Sequence, residues 1–311
     1  MSENKVYIIG HKSPDLDSVA AAIAYADFKN KVEKTDKYVP AVAGEINQET
    51  KYTLDKFGFE KPEVLEDASG KEIVLVDHNE FSQAADGVEE AFISEVLDHH
   101  KVNFKYDNPI VFCVCPWGAT CSIVARKYFN KNLEISEKLA GLMLSAILVD
   151  TVITKSPTCT NYDKKIIEDL SDLAGIQNWQ EFGMELFQVR SSVKDLKASE
   201  IIKGDFKDFN FKNGKVGIGQ VETVNLDEFK EKESELFSAL DDLRREGEYH
   251  TVVLFITDII KEGSKFLVSS EDNLMVEQSL NSKLENNKAY LDGVISRKKQ
   301  VAPKFAEVFD K

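Results

Sequence analysis

Short apolar runs that stop at an acidic or imidazole side chain constrain this chain more than any other feature. Residues 5–9 form a compact β-type run that ends in Gly10-His11-Lys-Ser-Pro-Asp15-Leu-Asp17-Ser18, ahead of an Ala-rich, helix-type stretch over 18–30. A second run, 73–76, ends in Asp77-His78-Asn79, and a third, 92–97, ends in Asp98-His99-His100. A helix-type run over 136–149 ends at Asp150. Further β-type runs occupy 38–43 and 109–115, with helix-type stretches at 50–57 and 121–129. Strands alternating with helices predict an α/β fold with a parallel sheet covered on both faces. In open sheets of that kind, ligands bind beyond the carboxyl ends of the strands. The acids and imidazoles fall at those ends.

The texture changes after about residue 186. Residues 188–197 are polar and carry Ser191-Ser192, which reads as a linker. Beyond it come a strand at 216–221, a long charged helix at 226–245, strands at 251–257 and 265–269, and a strand-like run at 290–295. Ser296-Arg297-Lys298-Lys299-Gln300 then forms a short basic loop. A length of 311 residues suits two domains at a prior of about 150 residues each. The expected division is 1–188, a linker at 189–195, and a smaller α/β domain at 196–311.

Composition closes off several classes. With 54 acidic against 39 basic residues the formal charge is −15, which argues against a nucleic-acid partner held by phosphate neutralisation. No apolar stretch reaches the ~18 residues of a membrane span. Met-Ser-Glu-Asn-Lys at the start lacks the features of a secretory signal, so no membrane partner and a cytoplasmic location are expected. Cys113, Cys115, Cys121 and Cys159 form neither a C-x-x-C pair nor a zinc pattern and read as buried, reduced thiols.

Each acidic motif alone is weak, since an Asp after a strand is usually a cap. Together they place four of the five histidines among aspartates, with only His250 apart. So many carboxylates at one edge repel unless cations neutralise them, which points to two or more divalent metals. Carboxylates and imidazoles without thiolates suit Mn²⁺ or Mg²⁺, with Co²⁺ or Zn²⁺ as alternatives. Two such ions sharing a carboxylate and a water make a hydrolysis site. Arg297, Lys298 and Lys207 read singly as solvated turn residues. Beside a metal-neutralised cluster, they supply the positive charge that a phosphate-rich ligand needs.

His11-x3-Asp15-x-Asp17-Ser18, Asp77-His78-Asn79, Asp98-His99-His100, Asp150 and Ser296-Arg297-Lys298-Lys299-Gln300 together resemble the family II, manganese-dependent inorganic pyrophosphatases of the DHH phosphoesterase superfamily. Lys155-Ser-Pro-Thr-Cys-Thr160 resembles the family's sequence as well. The resemblance implies a DHH domain followed by a smaller DHHA2-type domain, with the active site in the cleft between them. It implies hydrolysis of pyrophosphate to two orthophosphates by a metal-bridged hydroxide. His11, Asp15 and Asp77 would hold one metal and Asp17, Asp77, His99 and Asp150 the other. His100, Lys207, Arg297 and Lys298 would bind substrate and assist catalysis, while His78 would orient a ligand from behind. Two Mn²⁺ per subunit (Co²⁺ as an alternative), a further Mg²⁺ or Mn²⁺ arriving with substrate, and a homodimer joined through the N-terminal domain also follow from the resemblance. Two other readings stand beside it: a DHH phosphodiesterase acting on short oligonucleotides or cyclic dinucleotides, and a metal-dependent binding protein without turnover. The first normally carries a glycine-rich, histidine-containing motif in its second domain, and this sequence has Arg297-Lys298-Lys299 instead.

Overall fold

The computed structural model describes residues 5–191, 193 and 196–311, which divide into two compact units, 1–189 and 190–311. The residues read for an export signal, 1–4, lie outside the described residues, as do Ser192, Lys194 and Asp195 of the expected linker.

In the first unit, β1 (Val6–Ile9) leads through α1 (Leu16–Glu33) to β2 (Tyr38–Val42), α2 (Gln48–Phe57) and β3 (Glu63–Val64). β4 (Glu72–Val76), β5 (Phe92–Asp98) and β6 (Val111–Val114) follow. Four helices complete the unit: α3 (Thr120–Lys131), α4 (Glu137–Asp150), α5 (Asn161–Leu173) and α6 (Trp179–Ser191). The six strands are all parallel, in the order β3-β2-β1-β4-β5-β6. Period-two alternation decides the faces: Val6, Ile8, Val74 and Val76 pack with helices α1 and α3 to α5, while Ile9, Ile73 and Leu75 turn to the other side. Both faces are covered, as the sequence predicts. On the second face, however, 3₁₀ turns at Phe81–Gln83 and Val88–Glu90 and the loop carrying Phe104 and Tyr106 provide the cover. The connections on either side of β5 contain no helix-length amphipathic stretch, so no α-helix forms there.

The expectation of four buried thiols needs correction. Cys121 is buried in α3, but Cys113, Cys115 and Cys159 are only partly covered, and all four are free. β6 is an edge strand, which leaves one side of Cys113 without a neighbouring strand.

The second unit begins with α7 (Ala198–Lys203), β7 (Phe206–Phe211) and β8 (Gly214–Thr223), then α8 (Glu233–Glu246), β9 (Thr251–Asp258) and β10 (Gly263–Ser270). α9 (Asn273–Leu280), β11 (Lys288–Asp292) and α10 (Ala302–Phe309) finish it. Its five-stranded sheet runs β11-β10-β9-β8-β7, with only β8 and β9 parallel. β9 is buried along its whole length: Val252, Leu254 and Ile256 face α7 and α8, while Val253 and Phe255 face α9 and α10. The single helix expected over 226–245 is two elements. Asn225 caps a 3₁₀ turn at Leu226–Phe229, its side chain accepting from the Asp227 N–H, and α8 starts only at Glu233. The basic segment is likewise no loop, because Arg297–Val301 forms one π turn that runs into α10.

One residue fixes how closely β1 approaches the first turn of α1. A Cβ on Gly10 would lie 1.8 Å from Ser18 Oγ and 3.2 Å from the Ser18 carbonyl oxygen, and both residues are buried. Gly10→Ala is expected to lower stability by about 1–3 kcal/mol, the range for overpacking a tight core. Adding Ser18→Ala, which removes the nearest clash, should return part of that loss in a urea melt.

Candidate metal centre

β1 ends at Ile9, and the loop that follows carries His11 and Asp15 before α1 begins. Asp15 is the N-cap: its Oδ1 accepts from the Ser18 N–H at 2.9 Å, leaving Oδ2 3.5 Å from His11 Nε2. β4 ends one residue before Asp77, which takes a left-handed φ of 63°. Aspartate tolerates that region better than most residues, and here it turns the carboxylate to the end of the sheet. Asp77 Oδ2 lies 3.4 Å from His11 Nε2 and Oδ1 lies 3.3 Å from His99 Nε2. One buried carboxylate therefore serves two neighbourhoods.

The second neighbourhood forms from three more elements. Asp17, in the first turn of α1, is fully buried and accepts the Thr120 N–H at 2.6 Å and the Cys121 N–H at 2.9 Å, both from the first turn of α3. The positive end of that helix favours the carboxylate. His99, just past β5, donates through Nδ1 to the Trp117 carbonyl at 3.0 Å, which leaves its Nε2 as the lone-pair nitrogen. Asp150 closes α4, with Oδ2 3.7 Å from His99 Nε2.

Asp150 is followed by an unusual turn. Val152, Ile153 and Thr154 have φ of 49, 51 and 66°, three consecutive β-branched residues in a region that disfavours each by roughly 1–2 kcal/mol. Hydrogen bonds from Ile153 N to Leu148 O and from Ser156 N to Thr151 O, both 2.8 Å, hold the turn, and Ile153 is buried.

These side chains present donor atoms within 4.8 Å of one another in overlapping groups: His11, Asp15 and Asp77; Asp17, Asp77, His99 and Asp150; and Asp77, His99 and His100. His99 Nε2 is buried with no hydrogen-bond partner, as a ligand nitrogen awaiting an ion would be. The donors are carboxylates and imidazoles throughout. The set fits hard or borderline divalent cations such as Mn²⁺.

The electrostatics agree. Burial opposes charge on His11 and His99, yet the facing carboxylates of Asp15 and Asp77, and of Asp77, Asp17 and Asp150, raise each imidazole to about 10. Burial, reinforced by Asp77, lifts Asp17 to about 7, and burial with Asp17 and Asp77 pushes Asp150 well above the carboxylate range. Burial would lift Asp77 too, but the rings of His11 and His99 set against its two oxygens hold it far below. Protons and imidazolium charge thus stand where cations would.

Residues that sequence reasoning left without a role support the site. Asp98 is fully buried outside the ligand groups, and its Oδ1 accepts from the His99 N–H, the His100 N–H and His100 Nδ1 at 2.7, 3.1 and 2.9 Å. Asn79 donates to Asp98 Oδ2 at 2.5 Å, and Thr120 Oγ1 donates to Asp77 Oδ1 at 3.0 Å. Asp98 and Asn79 sit inside their own motifs, a signal that could have been used; Thr120 had none. His78 is buried outside the ligand groups, its Nδ1 2.9 Å from the Val76 carbonyl.

In the second unit, Lys207 on β7 and Arg297 and Lys298 on the π turn line one cavity of about 660 Å³, beside Phe209 and Gln220. Lys207 and Lys298 are exposed. Arg297 is buried and donates to the Asp205 carbonyl at 2.6 Å, to Asp205 Oδ1 at 2.5 Å and to the Ile218 carbonyl at 3.2 Å.

Comparison with known proteins adds a second line of argument. The DHH family, N-terminal domain, matches residues 5–147, and the DHHA2 domain matches residues 184–308. The manganese-dependent inorganic pyrophosphatase of Methanocaldococcus jannaschii is 45% identical over 98% of this chain and 99% of its own length. That of Methanothrix thermoacetophila is 43% identical over the full length of both. The chain belongs to this family. A crystal structure from Methanococcus jannaschii, assigned to family II inorganic pyrophosphatase, aligns with a TM-score of 0.65 at 43% identity, covering 98% of this chain and all of that one. An exopolyphosphatase-related protein from Bacteroides fragilis shares the fold at a TM-score of 0.51 and 13% identity, covering 99% of this chain and 92% of that one.

Cation binding must displace the protons that the isolated site holds, since ligand imidazole nitrogens and carboxylates bind metal deprotonated. With His11 and His99 raised to about 10 and Asp17 to about 7, Mn²⁺ binding at pH 7 is expected to release protons and to weaken as pH falls. Titration calorimetry in buffers of different ionisation enthalpy reads this directly; heats independent of buffer would contradict it.

Proposed function

We propose that this chain hydrolyses inorganic pyrophosphate to two orthophosphates at a site built on two manganese ions. The observation that carries this reading is the sharing of Asp77 between two groups of donor atoms, in a chain 45% identical over its length to a manganese-dependent inorganic pyrophosphatase. His11, Asp15 and Asp77 hold one cation, and Asp17, Asp77, His99 and Asp150 the other. Bound there, such cations would lower the pKa of a coordinated water toward neutrality and offset charge on the phosphoryl oxygens. Co²⁺ is an alternative to Mn²⁺, and a further Mg²⁺ or Mn²⁺ accompanies the substrate.

The protein's own groups do the rest. His100 is raised above its ordinary value by the hydrogen bond to Asp98, against the effect of burial. With Nδ1 tied to that carboxylate, it presents Nε2 as a donor to a substrate oxygen or to the departing phosphate. Lys207 and Lys298 supply exposed positive charge to the phosphates. Arg297 retains part of its donor fork for substrate after its bonds to Asp205 and Ile218, and through Asp205 it holds the turn that presents Lys298. Phosphoryl transfer needs mainly positioning and charge stabilisation, which this inventory provides. The working division is 1–188, 189–195 and 196–311, as the motifs suggest.

Four unpaired cysteines suit a reducing, cytoplasmic setting, and among the described residues no helix is long and apolar enough to cross a membrane. A homodimer through the N-terminal unit suits the edge strand β6, where Val111 and Phe112 are exposed. The phosphodiesterase alternative has no support of comparable weight.

Phosphate release from pyrophosphate should be fast with Mn²⁺ or Co²⁺ and absent without metal, while a dinucleotide control remains intact; cleavage of the dinucleotide in preference to pyrophosphate would reverse the assignment. Asp77→Ala should abolish turnover and lower Mn²⁺ stoichiometry together. Lys298→Ala should raise KM or lower kcat/KM by about 10- to 150-fold, the equivalent of one charged hydrogen bond of about 1.5–3 kcal/mol.

A further inference from the structure

The acceptor that orients His99 is itself held from behind. The Trp117 carbonyl takes the His99 Nδ1 hydrogen at 3.0 Å, and the N–H of the same peptide unit, on Gly118, donates to Asp163 Oδ2 at 2.9 Å. A peptide unit is planar, so fixing the direction of its N–H fixes the direction of its C=O. Asp163 and His99 are therefore joined through one rigid plate.

We propose that Asp163 is a positioning residue for the metal centre, setting the aim and tautomer of His99 through the Trp117–Gly118 peptide. This rests on the reading of His99 as a metal ligand. Asp163 is fully buried, at the start of α5. Its Oδ2 also accepts the Thr160 N–H at 2.7 Å and the Thr160 hydroxyl at 2.6 Å, forming the capping box of the helix. Ile166, Ile167 and Leu170 anchor that helix in the core shared with α4, so the carboxylate is mounted on a rigid element.

Two features go beyond what a helix cap requires. The peptide is wedged: a Cβ on Gly118 would meet Thr151 Cγ2 at 2.5 Å and Asp163 Cγ and Oδ2 at 3.1 Å. Thr151 follows the ligand Asp150, so the same plate abuts the chain that carries a second ligand. Moreover, a carboxylate accepting the N–H end of a peptide polarises its C=O and strengthens the bond accepted there, by about 10–30%. A stronger acceptor at Nδ1 fixes the neutral ring's proton on that nitrogen and makes Nε2 a better donor to a cation, the arrangement by which carboxylates behind histidine ligands tune metal affinity.

The test separates positioning from capping. Asp163→Asn keeps an oxygen for the Thr160 and Gly118 donors but removes the charge; Thr160→Ala breaks the capping box and leaves the Gly118 bond. Free Mn²⁺ measured by electron paramagnetic resonance gives affinity for the full-length protein, and metal-free melting gives stability. The expected result is a 10- to 100-fold loss of Mn²⁺ affinity in Asp163→Asn, with Thr160→Ala melting lower but binding Mn²⁺ as the wild type does. A second readout covers the case in which Asp163→Asn folds poorly. Nitrogen NMR of histidine-labelled, Mg²⁺-loaded wild-type protein should show His99 as the Nδ1–H tautomer, and Thr160→Ala should retain it. Equal loss of Mn²⁺ affinity in the two variants, unchanged affinity in Asp163→Asn, or a different wild-type tautomer would overturn the proposal. Failure of the wild type to bind Mn²⁺ would instead sink the reading of the site itself.

Discussion

Asp77 holds two carboxylate oxygens at the end of a buried strand, and each faces a different group of donor atoms. Like charges about 4 Å apart repel by roughly 4 kcal/mol even at an effective dielectric of 20, so Asp15, Asp17, Asp77 and Asp150, with Asp17 and Asp77 buried, cannot stand as four free anions. The protein answers with backbone N–H groups on Asp17, a hydroxyl on Asp77 and imidazoles between the acids. Those devices leave the cluster short of positive charge, a shortfall that divalent cations would make up. Metal dependence is thus a property of the carboxylate geometry before any substrate is considered.

The sheet order explains how residues far apart in sequence meet. From β1 the chain winds out through β2 and β3, then returns to β4 and winds the other way through β5 and β6. The reversal leaves a crevice beyond the ends of β1 and β4, where open α/β sheets bind their ligands. His11 and Asp15 leave one wall of it, Asp77 the other, and His99 follows the next strand along. Asp17 and Asp150 come from the helices that pack on the same face. The mixed sheet of the second unit has no such reversal between parallel strands, and the cavity beside it is lined by Lys207, Arg297 and Lys298.

Strong periodicity made much of this legible. The run before Asp77 is apolar throughout because β4 is covered on both faces, and the acidic ends stand out against it. What escaped the sequence was mostly local chemistry. Asn225 starts a 3₁₀ turn that ends at Phe229, before α8 begins at Glu233, a break hidden within charged, helix-like spacing. β7 is an edge strand whose polar alternation at Lys207, Asp208 and Asn210 resembles a loop. Arg297 read singly as a solvated turn residue, yet it is buried and its partners at Asp205 and Ile218 are 92 and 79 residues away, beyond the reach of any local pattern. Thr120 carries no motif, and the Thr160-x-x-Asp163 capping box gives no sign of Gly118, because their meaning lies in what they touch.

The left-handed turn after Asp150 puts two aims in opposition. Val152, Ile153 and Thr154 occupy a conformation that glycine or asparagine would adopt with less strain, so selection for heat tolerance alone would tend to replace them. Yet stiff branched chains locked in a costly shape have few other shapes to visit, and the neighbouring carboxylate inherits that immobility. A more comfortable turn would give a hardier protein with Asp150 less firmly placed.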